Sequence, residues 1–113
     1  LGTGYKKGLL AETLAAWILR LKCYRVLAMR YKTRVGEIDI VAQRGRTVVF
    51  TEVKFRQTAD HAAEAIGTHN QARVRQAAAL YLQKHPEYNG HDCRFDAVVL
   101  APGKWPRHIK NAF

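Results

Sequence analysis

The 113 residues carry 19 Lys and Arg against 9 Asp and Glu, a formal charge of +10. A chain of this length holds about one domain, and 48% hydrophobic with 25% charged residues excludes a disordered polymer. The cationic excess suits a polyanion, nucleic acid above all, although an anionic membrane surface or a ribosomal surface would be served equally well.

From Gly8 to about Lys22 the chain is rich in Leu and Ala, lacks proline and reads as a helix. Leu10, Leu14, Trp17, Ile18 and Leu21 form one stripe. Ala15, Ala16 and Leu19 make the opposite side apolar too, so burial on two faces is expected, with Glu12 on the Ala-lined side. Glu12, Arg20, Lys22 and Arg25 interrupt the stretch Leu9 to Leu27, which excludes a membrane span there, and no signal-peptide cleavage site follows it. Cys23 and Cys93 lie far apart without metal or redox spacing, so a reduced, cytoplasmic protein is the expectation.

Arg25 to Tyr31 fits an edge strand. Glu37 to Val41 and Val48 to Phe55 alternate and are rich in β-branched residues, and Arg44-Gly45 between them makes a β-hairpin. A helical region runs from Ala62 to about Lys84 with a break at Gly67. Thr68 and Gln71 have capping-box spacing, so a helix restarts there, with Val74, Ala77, Ala78 and Tyr81 as its core stripe. His85-Pro86 and Asn89-Gly90 end it. Cys93 to Leu100 reads as the last strand, and Ala101 to Phe113 as a basic tail.

The chemistry concentrates in the hairpin. Residues two apart on a strand share a face, so Glu52 and Lys54 do. A two-residue turn on Arg44 and Gly45 pairs Gln43 with Arg46, Asp39 with Phe50, and Glu37 with Glu52. Glu37, Asp39, Glu52 and Lys54 then cluster on one face, whereas a three-residue turn would move Asp39 to the other. A solvated face of Glu–Lys pairs is the ordinary meaning of such residues. Here Val41, Val48 and Phe50 lie on the acidic face as well, so the carboxylates are expected to be half-buried and to need a cation. Oxygen ligands in that number suit Mg²⁺ or Mn²⁺ rather than zinc.

Gly36-Glu37-Ile38-Asp39 followed by Glu52-Val53-Lys54 resembles the PD-(D/E)xK nuclease motif. The chain is similar, nearly end to end, to the YraN-type family of small bacterial proteins related to archaeal Holliday-junction resolvases. That likeness includes Arg94-Phe95-Asp96 and the terminal His108 to Phe113. The resemblance implies an α/β, restriction-endonuclease-like αβββαβ core in one domain over residues 1–113, with a mixed four-stranded sheet flanked by helices. It implies a Mg²⁺- or Mn²⁺-dependent endonuclease acting on DNA, branched or structured DNA in particular, and a homodimer, because junction resolvases act as symmetric dimers. Asp39, Glu52 and the carbonyl of Val53 would hold the ion, Lys54 would act on the attacking water or the phosphate, and Glu12 would join the site from the first helix. Gln71 matches a helix position near the site in related nucleases. The sequence departs from the family at Asn70, where a lysine is usual, and at Phe55, where a small or β-branched residue is usual.

Arg56, Gln71, Arg73 and Arg75 are candidate nucleic-acid contacts, against the commoner meaning of a solvated face or, for Gln71, a cap. Glu12 is equally a buried glutamate paired with a nearby Arg, and Asp96 a partner for Arg94. His61, His69, His85, His91 and His108 lack metal-ligand spacing. Trp105 with Lys104, Arg107 and Lys110 fits either a nucleic-acid arm or docking onto the core. The rival to an enzyme is a non-catalytic nucleic-acid-binding module on the same fold.

Overall fold

The computed structural model describes residues 2–56 and 68–113, with side chains from residue 8 onward in the first helix and from Asn70 in the second. In chain order they form α1 (Gly2–Leu21), β1 (Arg25–Lys32), β2 (Glu37–Arg44), β3 (Thr47–Phe55), α2 (Thr68–Lys84), a 3-10 turn (Pro86–Tyr88), β4 (Asp92–Leu100) and β5 (Arg107–Ile109). The helical expectation for Ala62 to Gly67, and His61, lie outside the described residues. No helix among the described residues is long and apolar enough to cross a membrane. Cys23 and Cys93 are free and exposed.

The strands make one mixed sheet in the order β1-β2-β3-β4-β5. β1, β2 and β3 are antiparallel neighbours, β4 runs parallel to β3, and β5 returns antiparallel to β4. The sheet therefore has five strands rather than the expected four. Part of the apparent tail is a strand, with Ala97 opposite Ile109 and Val99 opposite Arg107. Two prolines and many cations hid it, and its anchor is a charge network rather than an apolar pattern.

The hairpin turns on Gly45 and Arg46, between the paired Arg44 and Thr47, with Gly45 at φ 60. The turn lies one residue later than expected, which slides the register by two, so Val41 rather than Asp39 faces Phe50. An even slide keeps every side chain on its face. The shared face of Asp39 and Glu52 survives the correction.

α1 and α2 cover opposite faces of the sheet. Ala11, Ala15, Ala16 and Leu19 of α1 pack on Ile40, Ala42, Val49, Val98 and Leu100. Val74, Ala77, Ala78 and Tyr81 of α2 pack on Ile38, Val41, Val48 and Phe50. The core stripe of α2 is as expected, and so is burial of the Ala-lined side of α1; burial of α1 on its other side is not. Its large apolar stripe faces outward, with Leu10 62%, Leu14 50%, Trp17 57% and Leu21 81% exposed. Alanines let the helix axis approach the sheet closely, which the bulkier stripe would prevent.

Buried Asp96 ties the C-terminal residues to the sheet. Arg94 donates to both of its oxygens at 2.8 Å, the Asn111 amide to Oδ1 at 3.0 Å, and His108 Nε2 meets Oδ2 at 2.7 Å. Lys22 Nζ lies 2.6 Å from His108 Nδ1. An ammonium only donates, so Nδ1 is the acceptor and Nε2 carries the proton given to Asp96. Burial alone would raise the Asp96 pKa, but the hydrogen bonds from His108, Arg94 and Asn111 outweigh it and hold it at about 2, below the usual 3.8. The resulting stabilisation is complete above the unfolded value and is lost as pH falls through about 2. Asp96→Asn is expected to cost about 2–3 kcal/mol at neutral pH in urea unfolding. The wild-type advantage should disappear when both proteins are compared below the folded pKa.

Candidate active site

The β2–β3 ladder runs from Arg44↔Thr47 to Ile40↔Thr51. One step further along this register stand Asp39 and Glu52, so the end of the ladder sets two carboxylates across from each other. The neighbouring strand is irregular at the same level. Arg30, between Met29 (opposite Ile40) and Tyr31 (opposite Ile38), has φ 53. That left-handed conformation is uncommon for a non-glycine residue and costs on the order of 1–3 kcal/mol. The alternation of faces breaks there too: Ile38 packs on the α2 side with Val41, while Ile40 packs beneath α1. Both helices reach this irregular end of the sheet. A polar cleft of about 360 Å³ lies there, lined by Glu12, Glu37, Asp39, Glu52, Asn70 and Arg73.

Each wall has a local cause. Glu12 sits among the alanines that press α1 onto the sheet, and its side chain is 14% exposed. Its Oε1 has no hydrogen-bond partner, because Arg30 Nε stands 3.7 Å away. On the other side, the loop before β2 is closed by Thr33, whose amide donates to the Gly36 carbonyl (2.8 Å) and whose Oγ1 accepts from the Gly36 amide (3.0 Å). A Cβ on Gly36 would lie 2.5 Å from the Arg73 carbonyl oxygen, so only glycine lets α2 settle this close. That approach brings Asn70 and Arg73 over the start of β2. The Asn70 Nδ2 is buried without a partner.

Burial dominates the electrostatics. Desolvation, then the negative charge of Glu52, push the Asp39 pKa up to about 7; the Val53 amide, donating to Asp39 Oδ2 at 2.8 Å, only partly offsets them. Desolvation likewise raises Glu12, against the attraction of Arg30. Lys54 Nζ holds Glu52 Oε1 at 2.9 Å.

The structure thus brings Glu12, Asp39, Glu52 and Lys54 to one place, with Val53 entering through its amide. Arg73 is on the cleft wall, its Nε 3.5 Å from the Val35 carbonyl. Three nucleic-acid candidates do not line the cleft. Arg75 stacks on Phe95 at 4.5 Å, Arg56 donates to the Phe55 carbonyl at 3.2 Å, and half-buried Gln71 is not among the lining residues. Asn70, in sequence notable only for standing where a lysine is usual, lines the cleft. Its signal was position: Asn70 is four residues before Val74 and continues the stripe Val74, Ala77, Tyr81 toward the cleft.

Among the described residues, no three acidic, histidine or cysteine side chains surround one point as a metal shell. The carboxylates share a cleft without closing on a centre. Their chemistry still fits a hard divalent cation. The donors are carboxylate oxygens, Glu12 Oε1 is buried with no hydrogen bond among the described residues and only the ion pair to Arg30, and burial raises the Asp39 pKa to about 7, the direction a bound cation would reverse.

A family model described as "Uncharacterised protein family UPF0102" matches residues 11–100. A UPF0102 protein of Parvibaculum lavamentivorans is 50% identical over 109 residues, covering 96% of this chain and 82% of the relative. One from Methylorubrum extorquens is 51% identical over 107 residues, covering 95% and 84%. One from Rhodopseudomonas palustris is 48% identical over 109 residues, covering 96% and 84%.

Because the folded pKa of Asp39 is raised, its contribution to stability is greatest below the unfolded value of 3.8 and is lost as pH rises through about 7. Asn keeps an oxygen for the Val53 amide but carries no charge. With a chelator present above that pKa, Asp39→Asn is expected to raise stability by about 1 kcal/mol or more, read by urea unfolding across pH. Equal or lower stability of the variant would contradict a strained apo cluster.

Proposed function

The chain belongs to the UPF0102 family, and we propose that it is a divalent-metal-dependent endonuclease that hydrolyses DNA phosphodiester bonds. The observation that carries this reading is the cleft itself: four carboxylates from three elements, one with its pKa raised to about 7 and one with a buried oxygen that accepts no hydrogen bond among the described residues, beside a lysine. Asp39 and Glu52 would hold a Mg²⁺ or Mn²⁺ ion, with Glu12 facing them from α1. When bound, such an ion supplies Lewis acidity and neutralises charge on the phosphate.

The chain's own groups have distinct work. The Val53 amide fixes the orientation of the Asp39 carboxylate. Lys54 spends one of its three donors on Glu52 and offers the others to the attacking water or to the phosphate in its pentavalent state. Asn70 and Arg73 present donors from α2, suited to non-bridging phosphate oxygens. Exposed Lys32 and Arg34 stand at the same end of the sheet, Lys32 opposite Glu37, so cations border an acidic centre. Acid inside and base outside is the polarity a phosphodiester and its ion require. Likeness to junction resolvases supports branched DNA as the first substrate class to try. The second reading is a non-catalytic nucleic-acid-binding module, favoured by the carboxylates not closing into a shell.

Wild-type protein is expected to cut duplex, flap or four-way-junction DNA with Mn²⁺ or Mg²⁺ and to be inert in EDTA. Asp39→Ala, Glu52→Ala and Lys54→Ala should each reduce the rate by about 100-fold or more while keeping the wild-type circular dichroism. Asn70→Ala should raise KM more than it lowers kcat. Binding of these DNAs that is equal with EDTA and with Mg²⁺, unchanged in Asp39→Ala and unaccompanied by cleavage, would replace the enzyme with the binding module.

A further inference from the structure

Among the described residues, none packs over the outward face of α1. Leu10, Leu14, Trp17 and Leu21 recur at intervals of four, three and four, the a/d spacing by which one helix seats another. Their exposures run from 50% to 81%. Beside them a groove of about 360 Å³ is lined by Leu10, Leu14, Phe55, Leu100 and Pro106, with Lys104 at its rim and Trp105, 90% exposed, next in sequence. With about 150–250 Å² for each large side chain, the exposed fractions of the four α1 residues, Phe55 and Trp105 come to roughly 700 Å² of apolar surface. A stable interface buries about 800 Å² per partner. Monomers seldom leave so much open.

Charge selects the occupant. Arg20 lies over the Trp17 ring at 5.2 Å and Lys104 borders the groove. The one acid among the α1 residues is Glu12, which faces the catalytic cleft, and no acid occurs after Asp96. A second copy would bring the same cations and a further +10. Single-stranded nucleic acid fits the cations and the two indoles, but three leucines in a helical seam offer it neither stacking nor hydrogen bonds. We propose that this face binds an acidic amphipathic helix of a partner protein, its apolar seam on Leu10, Leu14, Trp17 and Leu21 and its carboxylates toward Arg20 and Lys104.

Trp17 lies on this face and Trp105 stands in sequence between the groove-lining Lys104 and Pro106, so tryptophan fluorescence reports docking. The test titrates the full chain with a helical peptide of about 20 residues carrying a leucine a/d seam with glutamate flanks, and with the same seam flanked by lysine. The acidic peptide should give a saturable blue shift and the basic one none. Leu14→Gln and Leu21→Gln, both at exposed positions and checked by circular dichroism, should weaken the acidic peptide at least about tenfold each. Equal binding of both peptides would overturn the proposal. So would a blue shift with anionic phospholipid vesicles or an oligothymidine but not with the acidic peptide, or a sedimenting dimer that the peptide fails to dissociate. None of these readings depends on DNA cleavage, so the nuclease proposal and this one fail separately.

Discussion

Carboxylates withdrawn from water at the end of a sheet covered on both faces are the constraint around which this fold is arranged. Asp39 cannot ionise freely there, because burial and the facing Glu52 both disfavour its charge. A neutral apolar pair at the end of that ladder would be more stable. Retaining acids instead costs stability, which the cation of the proposed nuclease would return.

The surroundings are fitted to that constraint from two sides. Small residues on α1 bring Glu12 down to the sheet, and the missing side chain of Gly36 brings α2 and its Asn70 to the opposite wall. The left-handed Arg30 and the break in face alternation near Ile38 are strain at the place where both helices meet β2. In the middle of β4, Asp96 shows the contrasting solution. Fully buried, it is met by Arg94, His108 and Asn111, and its pKa falls where that of Asp39 rises. One acid is satisfied by the protein and holds the fold; the other is met by a single backbone amide, as the proposed cation site would require.

Much of this was legible in the sequence because period-2 alternation is a strong signal, and an error of one residue in the turn moved the register by an even number. The stripe of α2 was equally plain, since Val74, Ala77, Ala78 and Tyr81 are apolar on one side only. α1 misled because both of its sides are apolar. Hydrophobicity names Leu and Trp as the core, whereas close packing on a sheet selects alanine. β5 was hidden because its hold is ionic and comes from Asp96, eleven or more residues away in sequence from Arg107 and His108. Asn70 was passed over because nothing local tells an amide at the end of a core stripe from one in solvent. The role of Gly36 required knowing which backbone would lie against it.

The most direct test of the central claim is calorimetric titration with Mn²⁺ at about pH 6.5 in buffers of different ionisation enthalpy, comparing wild type with Asp39→Ala. A site built on Asp39, whose pKa stands at about 7, should bind the ion with release of about one proton, and the variant should lose both the binding and the release. Absence of binding, or binding of equal strength in the variant without proton release, would contradict the account.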